Sequence, residues 1–242
     1  MDKNAKPGSR THVEQHAPGM GHMLRNVILG GQDGVVNVLG LILGVATATN
    51  SSYFVILAGI AATFAECISM AAVAYTSTRA EIEHYESEVK RELWEMDNLP
   101  KVERQEIEDI YRKKGFSGIL LQQVVDKVCS RRDVWLDTMM HEELGLENPA
   151  RGMPAIWQAV IVGVSAMVGS FIPITPFFFL SVPHAMPVSL VASLVVLFAI
   201  GAYKSRMTSG RWLKGGLELM LIGGAAAFAG YLVGMFFQKF HP

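Results

Sequence analysis

The sequence predicts an all-α integral membrane protein: five transmembrane helices, with a cytosolic insert of three to four helices between spans 2 and 3. Three observations carry this. Half of the 242 residues are hydrophobic, and they gather into runs close to the ~20 residues that cross a hydrocarbon core of about 30 Å. Seventeen of the 22 acidic residues fall between Glu81 and Glu147. Threading the five runs through a bilayer puts 20 of the 21 lysines and arginines on one side. The net charge of −1 averages two unlike regions.

Taken in order, residues 1–25 are polar, carry Pro7 and Pro18, and lack the apolar stretch of a cleaved signal. They read as a flexible cytosolic tail, with the histidines at 12, 16 and 22 as its decoration. Spans 1 and 2, about Asn26–Thr49 and Tyr53–Tyr75, occupy residues 26–76. The insert, residues 77–151, begins without a break, because no glycine or proline occurs between Ala71 and Leu99. One long helix should therefore leave the membrane and stop at Pro100. A second helix is expected over Lys101–Lys114, closed by Gly115. A third starts near Phe116, and a last one, "RRDVWLDTMMHEELGL", ends at Gly145. Spans 3 to 5, about Ala155–Pro173, Val188–Tyr203 and Leu213–Phe237, fill residues 152–242. "PITPFFFLSVPHAMP" is too rich in proline for a helix and reads as an interfacial connection.

Orientation follows from the basic residues. The tail has four, the Thr76–Arg151 stretch twelve and the Lys204–Lys214 loop four, against one, Lys239, on the other side. The N-terminus is thus expected in the cytosol and the C-terminus outside it or in a lumen. Gly30/Gly34, Gly40/Gly44 and Gly230/Gly234 have the four-residue spacing that lets helix backbones approach closely, within the protein or across a dimer. Cys67 and Cys129 have neither zinc nor disulfide spacing and read as small core residues.

Three carboxylates lie within the spans. Glu218 is one turn from Lys214 and reads as an interface residue. Asp33 and Glu66 are costlier, on the order of 2.5–3.5 kcal/mol for a charge at a helix centre. Asn37 lies one turn from Asp33, and Met70 one turn from Glu66. Carboxylate, amide and thioether together suit a first-row divalent metal better than magnesium or calcium. An ion or proton path and a structural hydrogen-bonding cluster both fit these residues. On the insert, Glu81, Glu88, Glu92 and Glu95 share broadly one side of the long helix. Glu103, Glu106 and Asp109 follow at three-residue steps on the next, and Met139 and Glu143 sit one turn apart on the last. Lys90, Arg91, Arg104 and Arg112 could make these faces ordinary solvated surface, so metal binding and surface pairing both stay open.

"GGQDGVVNVLGLILGVA", "AECISMAA" and "WLDTMMHEELGLENP", in this order and spacing, resemble the vacuolar iron transporter family across most of the chain. The resemblance implies a five-span homodimer that moves Fe²⁺, and often Mn²⁺, out of the cytosol in exchange for protons. It implies that Asp33 and Met70 line the path, joined here by Asn37 and Glu66 from the residues themselves. It implies a metal-binding insert using Glu92, Glu95, Glu106, Asp109, Met139 and Glu143, with Glu103 as an extra ligand. The metal is then substrate and bound ion, with no separate cofactor and no catalytic residues. Two departures stand out. Val73 and Ala74 replace the Gly-Glu common after "SMAA", and Glu66, two turns back on the same face, is the carboxylate left to stand in for it. Asp109 stands where a glutamate is usual.

Partners are thus divalent transition metals, protons, the lipid bilayer and a second copy, and no nucleic acid. No phosphate-cradling Gly-x-x-x-x-Gly-Lys-Ser/Thr loop occurs, which favours a proton gradient as the energy source. The alternatives are a membrane-anchored di-iron oxidase, from the Glu81-x-x-His84 spacing, and a metal sensor whose spans only anchor it. The lack of long targeting extensions favours a prokaryotic cytoplasmic membrane, with the vacuolar membrane expected in a eukaryote.

Overall fold

A computed structural model of the chain describes residues 20–149, 152–208 and 210–239. The histidines at 12 and 16 lie outside the described residues. The helices are α1 (Met20–Thr49), α2 (Ser52–Asn98), α3 (Pro100–Lys113), α4 (Gly118–Cys129), α5 (Arg132–Thr138), α6 (Ala155–Ile174), α7 (Pro176–Phe179), α8 (Val182–Thr208) and α9 (Trp212–Gln238). A π-helical turn, Met139–Glu143, follows α5. Among the described residues there is no strand. Five helices, α1, α2, α6, α8 and α9, are long and apolar enough to cross a membrane.

α1 is the hub of the bundle and packs on α2, α6, α8 and α9. In lipid there is no hydrophobic drive between helices, so packing depends on how closely backbones can approach. Glycine supplies that closeness. A Cβ at Gly34 would run into the Ala166 carbonyl and one at Gly230 into the Gly40 carbonyl. The other glycines of the three predicted pairs are used in the same way, Gly30 against Val162 and Gly44 against Gly230 and Gly234. All three pairs are therefore used in packing within the chain. Leu39, Ile42 and Val38 complete α1's buried stripe.

Two expectations are corrected. Met20–Arg25, assigned to the tail, form the first turns of α1. The proline-rich stretch is largely helical: Pro176–Phe179 is one turn, and α8 starts at Val182 rather than Val188. Pro176 and Pro183 fall in first helical turns, where N–H groups have no partner within the helix, while Pro187 lies inside α8. Ser181 starts that turn, its carbonyl accepting from the His184 and Ala185 N–H groups at 2.9 and 2.8 Å. Ser189 ties α8 back to α6 by donating to the Pro173 carbonyl at 2.7 Å.

α2 runs unbroken from Ser52 to Asn98, about 70 Å at 1.5 Å per residue. Its first half belongs to the bundle, and its second half is the spine of the insert. There α3, α4, α5 and the π turn fold around a small apolar knot of Ile107, Leu121, Val125, Val128 and Met139. Arg132 fastens α5 to α2 by donating to both Asp97 oxygens at 2.6 and 2.7 Å.

Candidate functional site

Two groups of acidic side chains hang on α2, and both take partners from a neighbouring element. Within the bundle, α1 and α2 turn back at Asn50–Ser51, so residues equally far from that turn face each other. Asp33 and Glu66 stand about 24 and 21 Å along their helices from it. Asn37 Nδ2 donates to Glu66 Oε1 at 2.7 Å, and Asp33 lies within hydrogen-bonding reach of the same carboxyl. Asp33 and Glu66 are half-buried and Asn37 is exposed. Met70 is half-buried one turn along α2, on Glu66's face by its four-residue spacing. An exposed amide and two adjoining carboxyls on a face at membrane depth call for a polar covering, not hydrocarbon.

The second group lies in the insert, about 39 Å further along α2 from Glu66 to Glu92. Glu92 and Glu95 from α2 meet Glu103 from α3, with one oxygen of each within 4.8 Å of the others. Glu92 and Glu103 are 1% and 2% exposed, a burial charged groups almost never reach unpaired. Their Oε2 atoms are buried with no hydrogen-bond partner. Leaving such atoms bare costs roughly 1–3 kcal/mol each, more for a charged group. Three carboxylate oxygens converging this closely fit a divalent cation, which would satisfy them together.

The fields of these groups overlap. Burial, then Glu106, Glu92, Glu95 and Glu143, pushes Glu103 up to about 7. Glu143, open to solvent on its outer side, is pushed up to about 7 by partial burial and by Glu106, Glu92 and Glu95, against Arg91. Glu106 is raised by burial and by Glu92 and Glu95. Arg91 Nη2 donates to Glu92 Oε1 at 3.1 Å and Nη1 meets Glu88 Oε2 at 2.9 Å.

The structure thus gathers Glu92, Glu95, Glu103, Glu106 and Glu143 into one field. Asp109 is not among them. It is half exposed, paired with Arg112, and accepts from Gln105 Nε2 at 3.2 Å. Three-residue steps turn by about −60° each, so Asp109 has swung about 120° from Glu103. Met139 is fully buried in the insert's apolar knot, while the π turn it opens carries Glu143 to the acids. Glu81 and His84 do not join the acidic group; His84 Nδ1 lies 3.9 Å from Glu88. They line instead a cavity of about 600 Å³ where α2 leaves the bundle, with Asn26, Ser77, Glu147 and Gln158. Sequence patterning misses this cavity, because loop and helix residues far apart in the chain build it. Glu218 lines a separate small pocket with Ser205, Arg211 and Lys214.

The model of the VIT family matches residues 24–235, which takes in both acidic groups. The chain belongs to the VIT family. It is 34% identical over 231 residues to Vacuolar iron transporter 1 of Oryza sativa subsp. japonica, covering 95% of this chain and 91% of that relative. Vacuolar iron transporter 1 of Arabidopsis thaliana is 34% identical over 223 residues, 91% and 88% of the two chains. Vacuolar iron transporter of Plasmodium berghei (strain Anka) is 30% identical over 234 residues, 93% and 85%. This VIT-family chain thus aligns with full-length relatives from plants and a parasite, insert included.

Proposed function

We propose that the protein is a secondary transporter moving Fe²⁺, and also Mn²⁺ or a similar divalent transition metal, out of the cytosol in exchange for protons. The observation that carries it is that one helix, α2, contributes to two acid sites: Glu66, beside Asp33 and Asn37 of α1, in the bundle, and Glu92 and Glu95, beside Glu103 of α3, in the insert. The relatives' printed names support iron as the cargo. In this reading Glu92, Glu95, Glu103, Glu106 and Glu143 gather metal on the cytosolic side, and their negative field raises its local concentration. The cavity at Glu81 and His84 leads toward the bundle. Asp33, Glu66 and the Met70 thioether take the ion when the carboxyls are deprotonated, and protons arriving from the far side compete for the same oxygens.

The exposed polar face of Asn37, Asp33 and Glu66 supports a homodimer in which a second copy covers it. The basic-residue bias supports a cytosolic N-terminus and a C-terminus outside or in a lumen. The membrane would be the cytoplasmic one in a prokaryote and the vacuolar one in a eukaryote. No enzymatic step is needed, and the Glu81/His84 pair lacks the second such pair that a di-iron oxidase needs among the described residues.

The test is uptake by sealed proteoliposomes. Fe²⁺ or Mn²⁺ should enter faster with an acidic interior, and the lumen should lose protons as metal enters. Metal flux indifferent to the proton gradient would overturn the exchange, and no flux of either metal would overturn the transport reading.

A further inference from the structure

We infer that Arg91 is a built-in competitor for the metal: its guanidinium holds Glu92 and must be displaced before a divalent ion can take that carboxylate. The inference rests on the metal-gathering reading of the insert. Arg91 projects from α2 beside the acids. Nη2 donates to Glu92 Oε1 at 3.1 Å, Nη1 meets Glu88 Oε2 at 2.9 Å, and Nε stands 3.9 Å from Glu95 Oε2. Among the described residues no other lysine or arginine pairs with Glu92, Glu95, Glu103, Glu106 or Glu143.

Arg91 satisfies the cluster only in part. It bonds one oxygen of Glu92 and leaves Oε2 of both Glu92 and Glu103 buried without a partner. A planar guanidinium cannot reach all the converging oxygens, whereas a small ion among them can. The arginine is also free to leave. Its side chain is 49% exposed, and Glu88, outside the converging trio, can retain it once Glu92 lets go. An incoming ion therefore meets a cationic group already in place. Metal binds only when its free concentration is high enough to win that exchange, so Arg91 raises the loading threshold of the insert.

The experiment titrates Mn²⁺ into the purified full-length protein in detergent by calorimetry. Wild type is compared with Arg91→Gln, Arg91→Lys and Arg104→Gln. Arg104 pairs with Asp126, away from the acids, so its variant carries the same change in net charge as Arg91→Gln. Arg91→Gln should lower the Kd on the order of tenfold, since it removes a unit charge in contact with the ligands, and Arg104→Gln should leave it unchanged. Lysine lacks the planar fork that presents one nitrogen to Glu88 and another to Glu92, so Arg91→Lys should fall between wild type and Arg91→Gln. If Arg91→Gln fails to fold, the lysine variant decides. An unchanged or weaker Kd in the Arg91 variants, with metal still bound by wild type, overturns the inference alone. A wild type that binds no Mn²⁺, or Glu103→Gln binding as well as wild type, overturns the metal-site reading and this inference with it.

Discussion

The bundle and the insert both keep carboxylates away from water, but they hold themselves together by different means. In the bundle the backbones touch: Gly34 lies against Ala166, and Gly40 against Gly230. In the insert, water supplies a hydrophobic drive, so a knot of a few apolar side chains and a rim of arginine–carboxylate pairs suffice. The acids differ accordingly. Glu66 receives the Asn37 amide within its own fold, whereas Glu92 and Glu103 each keep a bare buried oxygen. Tight packing around one pair and unmet demand around the other fit the path and the collector proposed above.

Substitutions can break or sharpen this contrast. The largest effect should come from the bundle acids: Asp33→Ala is expected to bring metal uptake by proteoliposomes to that of empty vesicles, while the protein still elutes as one species. Next comes backbone closeness. Gly34→Leu should overpack α1 against α6 by more than about 3 kcal/mol and yield little monodisperse protein. Gly115→Ala in the insert meets no neighbour and should cost only the left-handed backbone strain of about 1–2 kcal/mol, read in thermal melts.

A smaller effect is expected from pH. A carboxyl lifted from 4.5 to about 7 in the folded insert, as Glu103 is, holds its proton more tightly there than when unfolded. Its contribution is whole below pH 4.5 and is lost as pH rises through about 7. The metal-free protein should therefore melt several degrees lower at about pH 8 than at about pH 5. Glu103→Gln should flatten that dependence, and excess Mn²⁺ should restore the melting temperature at the higher pH. The smallest effect belongs to the rim: Arg132→Ala should barely move the melting temperature, because its pair with Asp97 is exposed.

Much of the architecture was legible in the chain. The lack of glycine and proline between Ala71 and Leu99 foretold the continuous α2. Pro100 and Gly115 bounded α3 to within a residue or two. Charge segregation sets the acidic stretch Glu81–Glu147 apart from the apolar runs in the sequence itself. Other features resisted for physical reasons. Helix starts tolerate proline, so the opening turns of α8 looked like a loop. The three-residue steps already turn Asp109 away from Glu103, but spacing alone does not say that the glycine pairs meet within the chain. Asn26, Glu147 and Gln158 meet across the cavity only through tertiary folding, and no local pattern announces them.

One property of α2 reaches beyond either site. Because one unbroken helix carries Glu66 and Glu92 about 39 Å apart, a movement at one end is magnified at the other. A tilt of about 5° at its membrane-embedded end sweeps the far carboxylates through about 3 Å, more than the width of a metal–oxygen bond. Rocking of the spans during the proposed transport cycle would thus be felt at the insert's carboxylates without any separate messenger.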